Sequence, residues 1–132
     1  MFASYSNKAN AYAKVSVETG VTSANPHKLI LMLYDGALAG IQSARLAMNS
    51  KDIPTKGRNI SKAIDIIING LKVSLNMDAG GDLAAQLDAL YDYMSDRLLY
   101  ANLHNNVAAL DEVAGLLEGL RSAWEGIADQ AA

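Results

Sequence analysis

Cysteine is absent from this 132-residue chain, and no lysine occurs after Lys72. Without cysteine there is neither a disulfide framework nor thiolate chemistry. Only two prolines interrupt the chain, and charged side chains make up 19% of it against 51% hydrophobic. That balance is too apolar for a disordered tail and too broken by charge for a membrane span. The net charge of −3 argues against a nucleic-acid binder, whose affinity rests on clustered Lys and Arg. The N-terminus lacks the basic stretch and apolar core of a signal peptide, so the expected address is the cytosol, with no membrane insertion.

The chain has the usual size of one domain. Residues 1–73 hold nine basic and four acidic side chains, a balance of +5, whereas residues 74–132 hold two and ten, a balance of −8. Such a split favours association of an N-terminal helix pair with a C-terminal pair, and leaves one side able to steer a charged partner. Solvated faces of opposite sign are the plainer reading.

Residues 1–24 are rich in Ser, Asn, Ala and Thr and read as a loosely attached arm or cap, with a short helix near Lys8 to Glu18 that needs docking to persist. Residues 25–132 read as a four-helix bundle. Asn25-Pro26 is a strong helix start, with Asn as N-cap and Pro at the first helical position. The expected helices cover about 26–49, 55–77, 82–104 and 107–128. The breaks are Asp52 to Pro54, Gly80-Gly81 with Asp82 as the next cap, and Asn105-Asn106. Matched lengths of about 35 Å with short links predict an all-α, antiparallel up-and-down bundle.

The fourth helix carries one apolar stripe, Leu110, Val113, Leu117, Leu120, Trp124 and Ile127. The third carries Leu83, Leu87, Leu90, Tyr91, Met94, Leu98 and Ala101; both read as ordinary core faces. The first two differ. Leu29 to Tyr34 is an unbroken apolar run that encircles its helix, so Leu31 and Leu38, or Leu29 and Met32, fall outside one seam. In the second, Ile66 and Val73, or Ile68 and Leu75, fall off the stripe of Ile60, Ile64, Ile67 and Leu71. The surplus implies a groove that receives an amphipathic or extended peptide, shielded at rest by the arm; the alternative is a homodimer or permanent cover by the arm. Gly36, Gly40 and Gly70 inside these helices point to close approach by another backbone, internal or a client's.

Catalytic chemistry is not expected. His27 and His104 are the only histidines and belong to no Glu-x-x-His pair, and His27 reads as a surface residue. Arg45, Arg58, Arg97 and Arg121 are spread over four helices, and no phosphate loop or activated nucleophile is present. No metal or cofactor site is expected.

A series of short motifs runs along the chain: Ala11-Tyr12-Ala13, Val15-Ser16-Val17-Glu18, Ser23-Ala24-Asn25-Pro26-His27 and Leu33-Tyr34-Asp35-Gly36. It continues in Ser61-Lys62-Ala63-Ile64, Gly70-Leu71, Gly80-Gly81, Leu90-Tyr91-Asp92-Tyr93-Met94, Ala101-Asn102 and Ala123-Trp124. In these motifs, in order and over nearly its whole length, the chain resembles the FliS family of flagellar secretion chaperones. Ala9 departs from a larger apolar residue, and Asn25 from the more frequent Ser. The resemblance implies a cytosolic, non-enzymatic helical bundle that binds the C-terminal region of flagellin, prevents early polymerisation and passes it to the flagellar export apparatus. Further partners in that setting are export-gate and regulatory proteins; an assembly or regulatory adaptor without a flagellin client is the alternative. Carried over by position, Leu29, Leu33, Tyr34, Ile64, Ile67 and Leu71 surround the client groove, and Tyr12 and Val15 belong to the cap. Tyr91, Leu120 and Trp124 are assigned to the core.

Overall fold

The computed structural model describes residues 25–127. Helix α1 spans Pro26–Asn49 and α2 spans Ile53–Ile66, continuing through a π-helical turn, Ile67–Leu71, and a 3-10 turn, Lys72–Ser74. Helix α3 covers Met77–His104 and α4 covers Val107–Gly126. Each start is capped by a short polar side chain that takes up an otherwise unpaired N–H. Asn25 accepts from His27 (3.0 Å), Asp52 from Thr55 (3.2 Å), Asn76 from Ala79 (2.9 Å) and Asn106 from Ala109 (2.9 Å). Asn105 ends α3 in the left-handed conformation, φ 52°, which Asn tolerates better than most residues.

Two boundaries differ from expectation. The second helix stops at Ser74, not near Met77, and Asn76 caps the next. Gly81 does not close the second helix; it lies inside α3 at φ 53°, so Met77–Gly80 forms one turn ahead of the main helix. Only glycine adopts that backbone without strain.

Helix α1 packs on α2 and α4, and α3 on α4 and α2, which sets α1 diagonal to α3 and α2 diagonal to α4. The order is antiparallel: Asp35 meets Arg121 while Arg45 meets Asp111. The fold is thus an all-α four-helix bundle. Its interior is filled by Ile41, Ile60, Ile67, Met94, Leu98 and Leu117, among others, each worth about 1.5–3 kcal/mol when fully buried.

The glycines of α1 admit α2. A Cβ on Gly36 would lie 3.2 Å from the Ile66 side chain, and one on Gly40 would lie 3.1 Å from the backbone oxygen of Asn59. The backbone approach inferred from sequence is therefore internal at Gly40, whereas at Gly36 the neighbour is a side chain. By contrast, a Cβ on Gly115 of α4 meets nothing within 4 Å. The same substitution should act with opposite sign at the two sites. Gly115→Ala should stabilise the bundle by about 0.5–1 kcal/mol through helix propensity. Gly40→Ala should destabilise it by about 1 kcal/mol, because the gap to a backbone atom cannot widen without moving a helix. Urea denaturation of the two variants side by side checks this.

Candidate functional site

The end of the bundle formed by the start of α1, the irregular tail of α2, the start of α3 and the last turn of α4 holds the apolar surplus. Of the encircling run in α1, Ile30 and Leu33 pack on the core from half-buried positions. Leu29, Leu31 and Met32 are also half-buried but lie outside that packed set. Tyr34 is interior, and its hydroxyl is 2.7 Å from that of Tyr91 on α3.

The tail of α2 resolves most of its own surplus. A π turn holds one residue more than an α turn, so the phase of the helix slips there. Ile66, ahead of that turn, and Ile67, its first residue, are both buried, Ile66 against Gly36, and Gly70 and Leu71 follow them inward. Leu33 of α1 fills the space that a side chain at position 70 would need, with a methyl 3.2 Å from the Cβ position of Gly70. Ser74 donates from its hydroxyl to the Gly70 carbonyl (2.6 Å), and Lys72 anchors the tail to α3 through Asp92 (2.7 Å) and Asp88 (3.9 Å).

Of the six groove residues expected from sequence, Leu29, Leu33 and Ile64 therefore reach the surface in part, whereas Tyr34, Ile67 and Leu71 lie beneath them. Tyr12 and Val15 of the expected cap lie outside the described residues. Tyr91 is in the core as expected; Leu120 and Trp124 are only half-buried.

His27 is not a plain surface residue. Its ring stacks on Trp124 (centroids 4.9 Å apart, 11° between planes) and its Nε2–H donates to the Trp124 carbonyl at 2.6 Å. Trp124 Nε1–H in turn donates to the His27 carbonyl at 2.9 Å. This reciprocal clasp ties the first turn of α1 to the last turn of α4. Neither histidine joins a metal set: among the described residues no three acidic, histidine or cysteine side chains cluster to hold an ion.

Helix α3 departs most from its sequence reading. Leu83, expected in the core stripe, is exposed beside the Gly81 kink, and Tyr93, Leu99, Tyr100 and Leu103 project outward, Leu103 with 78% of its surface free. Arg97 stands over the Tyr100 ring at 4.8 Å and pairs with Glu112 of α4 at 2.7 Å, and Tyr93 donates to the same carboxylate. Those two donors hold the Glu112 carboxyl below its ordinary range. The signal was present in the sequence, since Leu99 and Leu103 sit four apart and off the core stripe. Among the described residues no helix is long and apolar enough to cross a membrane.

Comparison with known proteins gives a consistent match. The family described as "Flagellar protein FliS" matches residues 8–131. The chain is similar to the flagellar secretion chaperone FliS of Salmonella typhimurium, 51% identical over 121 residues, which cover 92% of this chain and 90% of that protein. Similarity to the flagellar secretion chaperone FliSB of Pseudomonas aeruginosa is 48% over 124 residues, 93% of this chain and 98% of that protein. For the flagellar secretion chaperone FliS of Bacillus subtilis the figures are 40% over 119 residues, 90% and 84%.

Proposed function

The chain belongs to the FliS family of flagellar proteins, and from that membership we propose that it is a flagellar secretion chaperone that acts by binding, without catalysis. Its client is the C-terminal region of flagellin, held in the cytosol against premature polymerisation and passed to the flagellar export apparatus. Leu29, Leu33 and Ile64 form the accessible rim of the client groove, with Tyr34, Ile67 and Leu71 as its floor. Tyr12 and Val15 occupy the groove when the client is absent.

The observation that carries this reading is the half-buried run at the start of α1, where Leu29 and Met32, one turn apart on the same face, lie outside the packed core. Apolar surface of this kind on a helix is what an amphipathic segment covers on binding. A disordered client that folds as it docks trades chain entropy for that burial.

Isothermal titration of a synthetic flagellin C-terminal peptide tests the reading. Leu29→Asp should weaken binding at least about tenfold, equivalent to about 1.4 kcal/mol, with unchanged circular dichroism because Leu29 lies outside the packed core. Leu33→Asp should abolish binding, though its contact with Gly70 makes a folding check necessary. Wild-type affinity in a folded Leu29→Asp variant removes this face from the site.

A further inference from the structure

A groove of about 480 Å³ runs between α1 and α4, on a different face from the client site proposed above. Leu38, Ala39 and Gln42 form one wall, and Asp111, Gly115 and Glu118 the other. Its floor is partly apolar and its walls are low, since Ala39 and Gly115 offer little or no side chain. Glycine weakens an exposed helix, and nothing among the described residues crowds position 115; a docked neighbour would use the clearance.

The charges along the groove are unevenly committed. Arg45–Asp111 (3.0 Å) and Arg121–Asp35 (2.5 Å) bridge the two helices at its ends. Glu118 lies between these bridges, exposed and with no ion pair among the described residues. The groove thus presents one uncommitted carboxylate above a partly apolar floor, an arrangement suited to the long stem and cationic head of lysine.

The complementary surface is on the same chain. The outward face of α2 and the turn before it carry Lys51, Arg58 and Lys62, all exposed. Lys51 and Lys62 have no ion pair among the described residues, and Arg58 and Lys62 stand one turn apart, about 6 Å along the axis. Because α2 is diagonal to α4, these cations lie across the bundle from the groove and cannot reach it within one molecule.

We infer that the groove between α1 and α4 receives the basic face of α2 from a second copy of this chain, with Lys62 meeting Glu118. Because the two surfaces are on opposite sides, the contact is head-to-tail and leaves one groove and one basic face open for further copies. It is an electrostatic contact on an exposed rim, so it forms at high protein concentration and dissolves in salt. It is independent of the client reading and is tested without flagellin.

Sedimentation velocity on the full chain, from about 10 μM to about 1 mM, provides the test. At about 50 mM salt the weight-average mass should rise with concentration above 14.0 kDa, and at about 500 mM it should return to that value. Lys62→Glu and Glu118→Lys should each lower the association constant at least about tenfold. An equimolar mixture of the two variants should recover association, because each restores the charge its partner lacks. Both sites are exposed, and circular dichroism confirms that the variants fold. A mass that stays constant with concentration, association untouched by either reversal, or a mixture that does not recover would each overturn the inference.

Discussion

Lys56→Ala should lower the unfolding free energy by about 3 kcal/mol in urea denaturation, the largest loss expected from any single polar side chain of the bundle. Lys56 is only 4% exposed, and it is the one buried charged residue among those described. Its Nζ donates to the Asn102 carbonyl (2.9 Å) and to Asn105 Oδ1 (2.5 Å). Both acceptors are at the C-terminus of α3, where unpaired carbonyls and the helix dipole favour a cation. Hydrogen bonds from a charged donor contribute about 1.5–3 kcal/mol, and deleting the donor removes two such part-buried bonds at once. Lys56→Met keeps the aliphatic stem and should cost about 1 kcal/mol less. Equal stability of the Met variant and the parent would mean that the stem alone matters.

Removal of one hydroxyl from the buried tyrosine pair should destabilise the fold more than removal of both. Tyr34 and Tyr91 bond only to each other among the hydrogen bonds of the interior, so either single Phe variant leaves a buried hydroxyl unpaired at about 1–3 kcal/mol. The double variant removes both polar groups and should lie nearer the parent. A double-mutant cycle by thermal denaturation measures the coupling.

The same pair makes the bundle sensitive to alkali. Burial raises the pKa of both phenols above the ordinary 10.0. For Tyr91 the bond to Tyr34 adds to the rise, whereas for Tyr34 the bond to Tyr91 opposes it. A group whose folded pKa exceeds its unfolded value contributes fully below the unfolded pKa, and that contribution is lost as pH climbs through the folded one. Stability should therefore be flat with respect to these groups below about pH 10 and fall above it, by up to about 1.4 kcal/mol per pH unit for each. The Tyr34→Phe/Tyr91→Phe variant should lose this part of the alkaline decline.

The proposed client groove was only partly legible in the sequence. Periodicity located the surplus on the first two helices, and Leu29, Leu31 and Met32 do remain outside the packed core. It could not anticipate the π turn at Ile67–Leu71, which slips the helical phase of the residues after it, nor that Ile66, off the expected stripe, is buried against Gly36. A regular 3.6-residue count assigns each side chain to a face only while the helix stays regular. The same count misplaced Leu83, which reads as core but is exposed in the first turn after the kink at Gly81, where Ala84 is buried in its stead.

Helix number, order and most starts were set by the chain's own local chemistry. Asn25, Asp52 and Asn106 each have a side chain that takes up a backbone N–H within three residues, and Asn105 is a residue type that tolerates the left-handed turn conformation. Such interactions need no partner far along the chain, so they can be read in order. Which residues of α2 fill the space above Gly36 and Gly40, whether Lys56 finds acceptors at the far end of α3, and whether His27 finds Trp124 depended on contacts between residues tens of positions apart. Only the packed bundle brings those groups together, because burial and partnership belong to the neighbours that tertiary folding supplies.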